Sequence, residues 1–251
     1  MLIVYKALLG PLLLVQGGRA RRNALRLPEA AGPREGIAGS AAKDMPPLRV
    51  LFFGDSSAAG VGVEHQDEAL AARTAAFLSA RIGVPVAWQL VAKSGITTNE
   101  ALSLLAASEL KPADLLVTSL GVNDVTAQRS TRQFLADYQT IVDQIARRAG
   151  TKATIINGLP PMHAFPAMPQ PLRWYLGACA RRLDTALQGW VSANQSMSYV
   201  SLQWGGAGEM APDGYHPGAS QYRHWAQLVA DRAMALRELQ TVLRQAPPEQ
   251  V

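Results

Sequence analysis

The sequence predicts an α/β domain in which helices cover both faces of a parallel sheet. From residue 48 onward, short apolar segments alternate with longer segments whose apolar residues recur at helical spacing. The short segments are almost continuously apolar, as is typical of strands that are buried on both faces. A chain of 251 residues is long enough for one such domain with a full core.

The first segment of the chain combines apolar residues with arginines. Residues 2–15 are almost wholly apolar, but a bilayer span needs ~20 such residues. Four arginines follow within residues 19–26 and favour contact with anionic lipid headgroups. We therefore predict that residues 1–26 associate with a membrane surface, on its cytoplasmic face. Two alternatives stay open: a signal over residues 1–20, which would direct the protein to the periplasm or outside the cell, and a helix docked on the domain itself.

Composition then divides the rest of the chain. Residues 27–47 contain four prolines and three glycines with little periodicity, which is typical of a linker. We predict the domain over residues 48–244 and a C-terminal tail over residues 245–251.

The net charge of +5 belongs to one end of the sequence. Residues 1–49 hold eight basic and three acidic residues, so residues 50–251 are neutral. A neutral domain has no basic patch for nucleic acid, and we predict no nucleic-acid partner. The single cysteine, Cys179, excludes an internal disulfide framework and a cysteine-based metal cluster.

The predicted elements alternate along the domain. Five strands are predicted, over residues 48–53, 84–92, 113–120, 152–158 and 198–202. Five helices are predicted, over residues 66–82, 98–109, 130–149, 172–194 and 218–244. This alternation is typical of a parallel sheet. Because ligands bind at the carboxyl ends of such strands, we expect functional side chains in the loops that follow them.

The turn after the first strand is rich in glycine and serine. It is not a P-loop, because no Gly-Lys pair follows Gly54, and it is not a dinucleotide-binding turn, because His65 stands where the last glycine is required. The G-x-S-x-G elbow of the α/β-hydrolases is also absent. Ser56 is a candidate nucleophile in this turn, where backbone N–H groups favour developing negative charge. The alternative is a serine that only caps the next helix.

His216 is the candidate general base. Among the four histidines, it alone has a carboxylate three residues before it, in the loop Asp213-Gly214-Tyr215-His216-Pro217 after the last strand. Asp213 can accept the Nδ1–H of the imidazole, which fixes the tautomer and stabilises the imidazolium during proton transfer. The alternative is a turn in which Asp213 bonds its own backbone and His216 is solvated.

Two further loops carry candidate oxyanion donors. Asn123 follows the third strand, and its uncharged amide can donate to an oxyanion without neutralising the nucleophile. Gly95 follows the second strand and offers a backbone N–H that no Cβ obstructs. With the N–H of Ser56, these groups form the predicted oxyanion hole. A helix-capping Asn123 and an ordinary turn at Gly95 are the alternatives.

These four blocks resemble those of the SGNH hydrolases, also known as GDSL esterases and lipases. Gly54-Asp55-Ser56 is similar to the first block, Gly95 to the second, Gly121-Val122-Asn123-Asp124 to the third, and Asp213 with His216 to the last. The resemblance covers residues 48–240, and it departs from the family at Ser57, where the family name has leucine. It implies a three-layer α/β/α fold whose five-stranded parallel sheet has the flavodoxin-like order 2-1-3-4-5. It also implies a serine mechanism with no metal and no cofactor.

The predicted function is hydrolysis of acyl or lipid-type carboxylic esters through Ser56, His216 and Asp213, with an acyl-enzyme intermediate. The loop after the fourth strand is unusually apolar and suits an acyl chain. Its candidate substrate-binding residues are Met162, Phe165, Met168, Trp174 and Tyr175. The alternative is that this loop merely packs on the sheet.

The fold alone cannot choose among the activities of the resembled family. A carbohydrate O-acetyl esterase and an acyl thioesterase would use the same residues. A membrane-tethered binding module without catalysis is the third alternative, although such proteins would not need the complete set of reactive side chains.

Overall fold

One sheet of six strands organises the parts of the chain that the computed structural model describes, residues 2–39 and 46–244. The strands are β1 (Glu35–Ala38), β2 (Leu48–Gly54), β3 (Val86–Ala92), β4 (Leu115–Ser119), β5 (Ala153–Asn157) and β6 (Met197–Val200). Their order across the sheet is β1-β3-β2-β4-β5-β6. All neighbouring strands are parallel except β1, which is antiparallel to β3.

The sheet differs from the predicted one of five strands in the order 2-1-3-4-5, because a sixth strand, β1, is added at its edge and changes the strand count and the overall order. The five predicted strands, β2 to β6, lie in the predicted order relative to one another. The additional strand, β1, lies within residues 27–47, where the sequence predicts a linker. It pairs at the edge of the sheet, where Gly36 lies opposite Trp88, and a Cβ at Gly36 would come within 3.1 Å of the Trp88 ring. The glycine that suggests a linker thus admits a close contact with an aromatic ring. Residues 40–45 of the predicted linker and the predicted tail lie outside the described residues.

Helices cover both faces of the sheet. They are α1 (Leu2–Asn23), α2 (Leu70–Ile82), α3 (Thr98–Ala107), α4 (Val122–Thr126), α5 (Thr131–Ala149), α6 (Leu172–Ser192), α7 (Ala219–Met234) and α8 (Arg237–Arg244). Helices α3, α5 and α6 share one apolar cluster with one face of the sheet, and α2 and α7 share another with the opposite face. Alternate residues of β2 enter the two clusters, so both faces are buried, and the predicted three layers are confirmed.

Helix ends follow local sequence signals. Thr97 with Glu100 and Ser130 with Gln133 form capping boxes at the starts of α3 and α5. The predicted helix over 218–244 is divided into α7 and α8, because i to i−3 hydrogen bonds tighten the backbone at Ala235 and Leu236.

Helix α1 docks on α6. The side chain of Gln16 donates to the carbonyl of Gln170 at 2.7 Å and accepts the N–H of Leu172 at 3.1 Å. Tyr5 meets the edge of Trp174, with 4.9 Å between ring centroids. No helix in the described ranges is both long and apolar enough to cross a membrane.

Candidate active site

The turn after β2, which carries Ser56, is held between two neighbouring strands and the loop of His216. The N–H of Asp55 donates to the carbonyl of Ser119 at 3.0 Å, which joins the end of β2 to the end of β4. A Cβ at Gly54 would lie 2.4 Å from that carbonyl oxygen, and one at Gly62 would lie 2.2 Å from the carbonyl oxygen of Pro217. Both positions therefore require glycine so that the turn can approach its neighbours.

Ser56, His216 and Asp213 form a continuous chain of hydrogen bonds. His216 Nε2 lies 2.8 Å from Ser56 Oγ, and His216 Nδ1 lies 2.6 Å from Asp213 Oδ2. With Nδ1–H donated to the carboxylate, Nε2 is left to accept the hydroxyl proton of Ser56. The structure thus brings together three residues that lie up to 160 positions apart in the sequence.

The loop of His216 orients the carboxylate of Asp213. Its Oδ1 accepts the backbone N–H groups of Tyr215 at 2.9 Å and of His216 at 3.1 Å. Burial by itself raises the pKa of Asp213, but the hydrogen bonds from the His216 ring and from these N–H groups outweigh burial and keep the pKa below its ordinary value. Asp213 is therefore ionised at neutral pH, as a carboxylate that supports an imidazolium must be.

The candidate oxyanion donors line the same cavity as Ser56 and His216. These donors are Gly95, with φ at +81°, and Asn123, in the first turn of α4. Among the described residues, the N–H groups of Ser56 and Gly95 have no hydrogen-bond acceptor. They are therefore able to donate to a negatively charged oxygen.

Two carboxylates hold the loop that carries Gly95. Asp124 accepts the N–H of Thr98 at 3.0 Å and its hydroxyl at 2.6 Å. Glu29 accepts the N–H of Ser94 at 2.7 Å and its hydroxyl at 2.8 Å. Burial raises the pKa of Glu29, but the hydrogen bonds from Ser94 and the charge of Arg34 bring it below its ordinary value. Glu29 lies in the predicted linker, and no local pattern in the sequence marks it as part of a site.

A cavity of about 880 Å³ opens in front of Ser56, a size typical of sites for small organic ligands. Four of the five residues predicted to bind substrate line it: Met162, Phe165, Met168 and Tyr175. The fifth, Trp174, does not, because it lies on the outer side of α6 against Tyr5. The structure therefore does not bring Trp174 together with the other four.

The remaining wall of the cavity comes from the N-terminal segment, which sequence reasoning did not place there. Gly10, Leu13 and Gly17 of α1 line it, as does Leu27. Docking of this helix on the domain was one of the alternatives, but no pattern in the sequence indicated which part of the domain it contacts.

Among the residues that the structure describes, no group of three or more His, Cys, Asp and Glu side chains is placed to hold a metal ion.

Comparison with known proteins identifies a family. The sequence model described as the GDSL-like Lipase/Acylhydrolase family matches residues 52–224. A search of curated protein sequences finds no match.

Solved structures resemble the chain in fold. The lipase Lip_vut3 from a goat rumen metagenome has a TM-score of 0.62 at 19% identity, with 76% of this chain and 99% of that one covered. TesA has a TM-score of 0.58 at 24% identity, with coverage of 75% and 99%. Est24, a carbohydrate acetylesterase from Sinorhizobium meliloti, has a TM-score of 0.53 at 20% identity, also with coverage of 75% and 99%.

Proposed function

The chain belongs to the GDSL-like lipase/acylhydrolase family and hydrolyses ester bonds; we propose that it cleaves acyl or lipid-type carboxylic esters. In this proposal Ser56 is the nucleophile. The observation that carries the proposal is the 2.8 Å contact between Ser56 Oγ and His216 Nε2, with Asp213 on the other nitrogen of the ring. A hydroxyl on a base that is itself oriented by a carboxylate is the arrangement that acyl transfer through serine requires.

In the proposed first step, Ser56 Oγ attacks the carbonyl carbon of the ester while its proton passes to His216 Nε2. The carbonyl oxygen becomes an oxyanion that accepts hydrogen bonds from the N–H groups of Ser56 and Gly95 and from the amide of Asn123. The intermediate then collapses, the carbon–oxygen bond to the leaving group breaks, and His216 returns its proton to the departing alcohol.

In the second step, water replaces the alcohol. It attacks the carbonyl carbon of the acyl-enzyme and gives a proton to His216 Nε2. Collapse of this second intermediate releases the carboxylic acid, and the proton on His216 returns to Ser56 Oγ. Asp213 stays ionised throughout and stabilises the imidazolium in both steps.

The apolar cavity favours a substrate with a long acyl chain over one with an acetyl group. Met162 and Phe165 are buried in its wall, and methionine and aromatic side chains suit a flexible hydrocarbon chain. Solved structures of similar fold include a carbohydrate acetylesterase as well as a lipase, so acetyl hydrolysis is one alternative. Thioester hydrolysis by the same residues is the other. A series of nitrophenyl esters from acetyl to palmitoyl, with an acyl thioester and an acetylated sugar, distinguishes them.

We also propose that the outer side of α1 contacts a lipid surface. Val4, Leu8, Leu12 and Val15 lie exposed on one stripe of the helix, and Leu8 keeps 73% of its surface accessible. The arginines of residues 19–26 follow at the end of this helix. An exposed apolar stripe beside a cluster of cations is the chemistry that an anionic membrane binds.

Labelling with a fluorophosphonate probe tests the nucleophile. We expect the wild type and a Ser57→Ala control to be labelled, and Ser56→Ala to be unlabelled and without esterase activity. Ser57 is the matched control because it is a serine of the same turn whose N–H donates to Asp55 at 3.1 Å. Labelling that persists in Ser56→Ala would contradict the proposal, and an unlabelled wild type would favour a binding module.

A further inference from the structure

We propose that α1 is the outer wall of the acyl-binding cavity, and that Gly10 and Gly17 set the size of the acyl group that the site accepts. This inference rests on the function proposed above. It concerns a helix that precedes residues 52–224, the range that the family model matches, so the wall is a feature of this chain that the family match does not supply.

The same cavity joins the helix to the reactive groups. Gly10, Leu13 and Gly17 line it together with Ser56 and His216. Because residues three, four and seven positions apart lie on one face of a helix, the three α1 residues form a single stripe. The stripe of exposed apolar residues lies on a different side of the same helix. Helix α1 therefore has one face toward the site and another toward solvent.

The two glycines leave space in the cavity wall. A glycine in a helix costs about 1 kcal/mol relative to alanine, and close packing against a neighbour is the usual structural reason for one. Apart from the neighbouring residues and the backbone of α1 itself, no atom lies within 4 Å of an ideal Cβ at Gly10 or at Gly17. Close packing therefore does not explain either glycine. The structural consequence of both is open volume next to the site.

Specific contacts fix the wall in position. The Gln16 side chain makes two hydrogen bonds to the backbone of residues 170–172. Leu13 is buried in the cluster that contains Met162, Phe165 and Met168. Tyr5 packs against Trp174. The helix is thus attached to α6 and the residues just before it, which also line the cavity, so a bulky side chain at position 17 cannot be accommodated by a free shift of the helix.

Filling the wall should shorten the acyl chains that are hydrolysed. We expect Gly17→Leu, and independently Gly10→Leu, to lower kcat/KM for decanoyl and longer nitrophenyl esters by about tenfold or more, the scale on which a few methylene groups are discriminated in an apolar pocket. Hydrolysis of the acetyl ester should stay within about twofold of the wild type, because we expect only the longer acyl chains to extend to the wall.

A leucine on another side of the same helix separates cavity volume from other effects. Ala7→Leu adds a leucine at an exposed position of α1 that does not line the cavity. It should keep the chain-length profile of the wild type. Thermal unfolding of every variant verifies that each one is folded.

The possible outcomes are distinct. An unchanged chain-length profile in both glycine-to-leucine variants, or an equal loss on acetyl and long-chain esters, would contradict the role proposed for the α1 wall. In either case, ester hydrolysis by the wild type would leave the proposed function intact. A wild type that hydrolyses no ester of the series would overturn the proposed function and this inference with it. A selective loss on long chains in the glycine-to-leucine variants, absent from Ala7→Leu, is the supporting result.

Discussion

The carboxylate of Asp55, in the turn that carries Ser56, contacts both the backbone of that turn and the amide of Asn123. Its Oδ1 accepts the N–H of Ser57 at 3.1 Å, and its Oδ2 accepts the Asn123 amide at 3.3 Å. Burial raises the pKa of Asp55 to about 6, although the Ser57 N–H and the nearby His216 oppose the rise. Asp55 is therefore a positioning residue for Asn123 whose charge changes in the mildly acidic range.

Replacing Asp55 by asparagine should change how stability depends on pH. Because the folded pKa lies above the ordinary value of 3.8, the folded state binds the proton more tightly, and the wild type loses stability as pH rises from about 4 to about 6. Asp55→Asn lacks this titration, so its stability should improve relative to the wild type over that range, by up to about 3 kcal/mol. Urea unfolding at several pH values measures the difference.

The control for this prediction is Asp143→Asn, which removes an exposed carboxylate of α5. It should leave the pH dependence of unfolding close to that of the wild type. Parallel curves for the wild type and Asp55→Asn would contradict the prediction.

At the scale of elements, the loop between β3 and α3 is fastened from two sides. Asp124 holds its far end through Thr98, and Glu29 holds its near end through Ser94. Gly95 lies between these attachment points. Because an oxyanion donor is effective only in the correct position, we expect the two carboxylates to act on catalysis through the backbone they hold.

Replacing Glu29 by glutamine should lower the rate of the chemical step. The amide accepts hydrogen bonds from Ser94 less strongly than the carboxylate and removes the ion pair with Arg34. We expect kcat to fall about three- to tenfold with KM little changed, because the lost interaction serves the transition state. Steady-state kinetics on a short-chain ester measure the effect.

Glu35→Gln is the matched control, since Glu35 lies in the same segment and forms an exposed ion pair with Lys111 at 2.7 Å. It should leave kcat unchanged. A fall in thermal stability of Glu29→Gln without a fall in kcat would contradict the positioning role.

Elements with a local sequence signal were predictable, and elements without one were not. Helix α5 was predictable because a capping box and an apolar stripe mark it locally. Ser56, Asn123 and His216 were identifiable as candidates because each follows a strand, and the ends of parallel strands meet at one edge. Strand β1 was not predictable, because it is a four-residue edge strand of exposed and half-buried residues and lacks the apolar run that marks the other strands. The contact of Glu29 with Ser94, 65 positions away, was not predictable because no local pattern indicates it.

For the whole molecule, net positive charge and exposed apolar side chains are concentrated in the N-terminal segment. Residues 50–251 are neutral and the excess of basic residues lies before them. The exposed stripe of α1, defined by Val4, Leu8, Leu12 and Val15, belongs to the same region. The proposed contact with a lipid surface would therefore bring the cavity wall formed by α1 close to the membrane and to a lipid substrate in it.

Sedimentation with vesicles tests this contact. We expect the wild type to bind vesicles containing anionic phosphatidylglycerol more strongly than neutral ones, and added salt to weaken the binding by screening the arginines. The double variant Leu8→Asp with Leu12→Asp should bind about tenfold more weakly or worse, because it places charge on the apolar stripe.

The control is Ile37→Asp, which changes an exposed apolar residue of β1, where 68% of its surface is accessible. It should bind vesicles as the wild type does. A wild type that stays in solution with both kinds of vesicle would exclude the lipid contact.

The hydrogen bond between Gln16 and Gln170 can form only late in the synthesis of the chain. Helix α1 is made 154 positions before the backbone it docks on, and at roughly 5–20 residues per second about 8–30 s pass before that partner emerges from the ribosome. Through this interval neither side of the helix has its final neighbour, so the nascent chain presents an uncovered apolar helix to chaperones and to membranes. The cavity is completed late, because the segment on which α1 docks and the loop of His216 are made after α1 and Ser56.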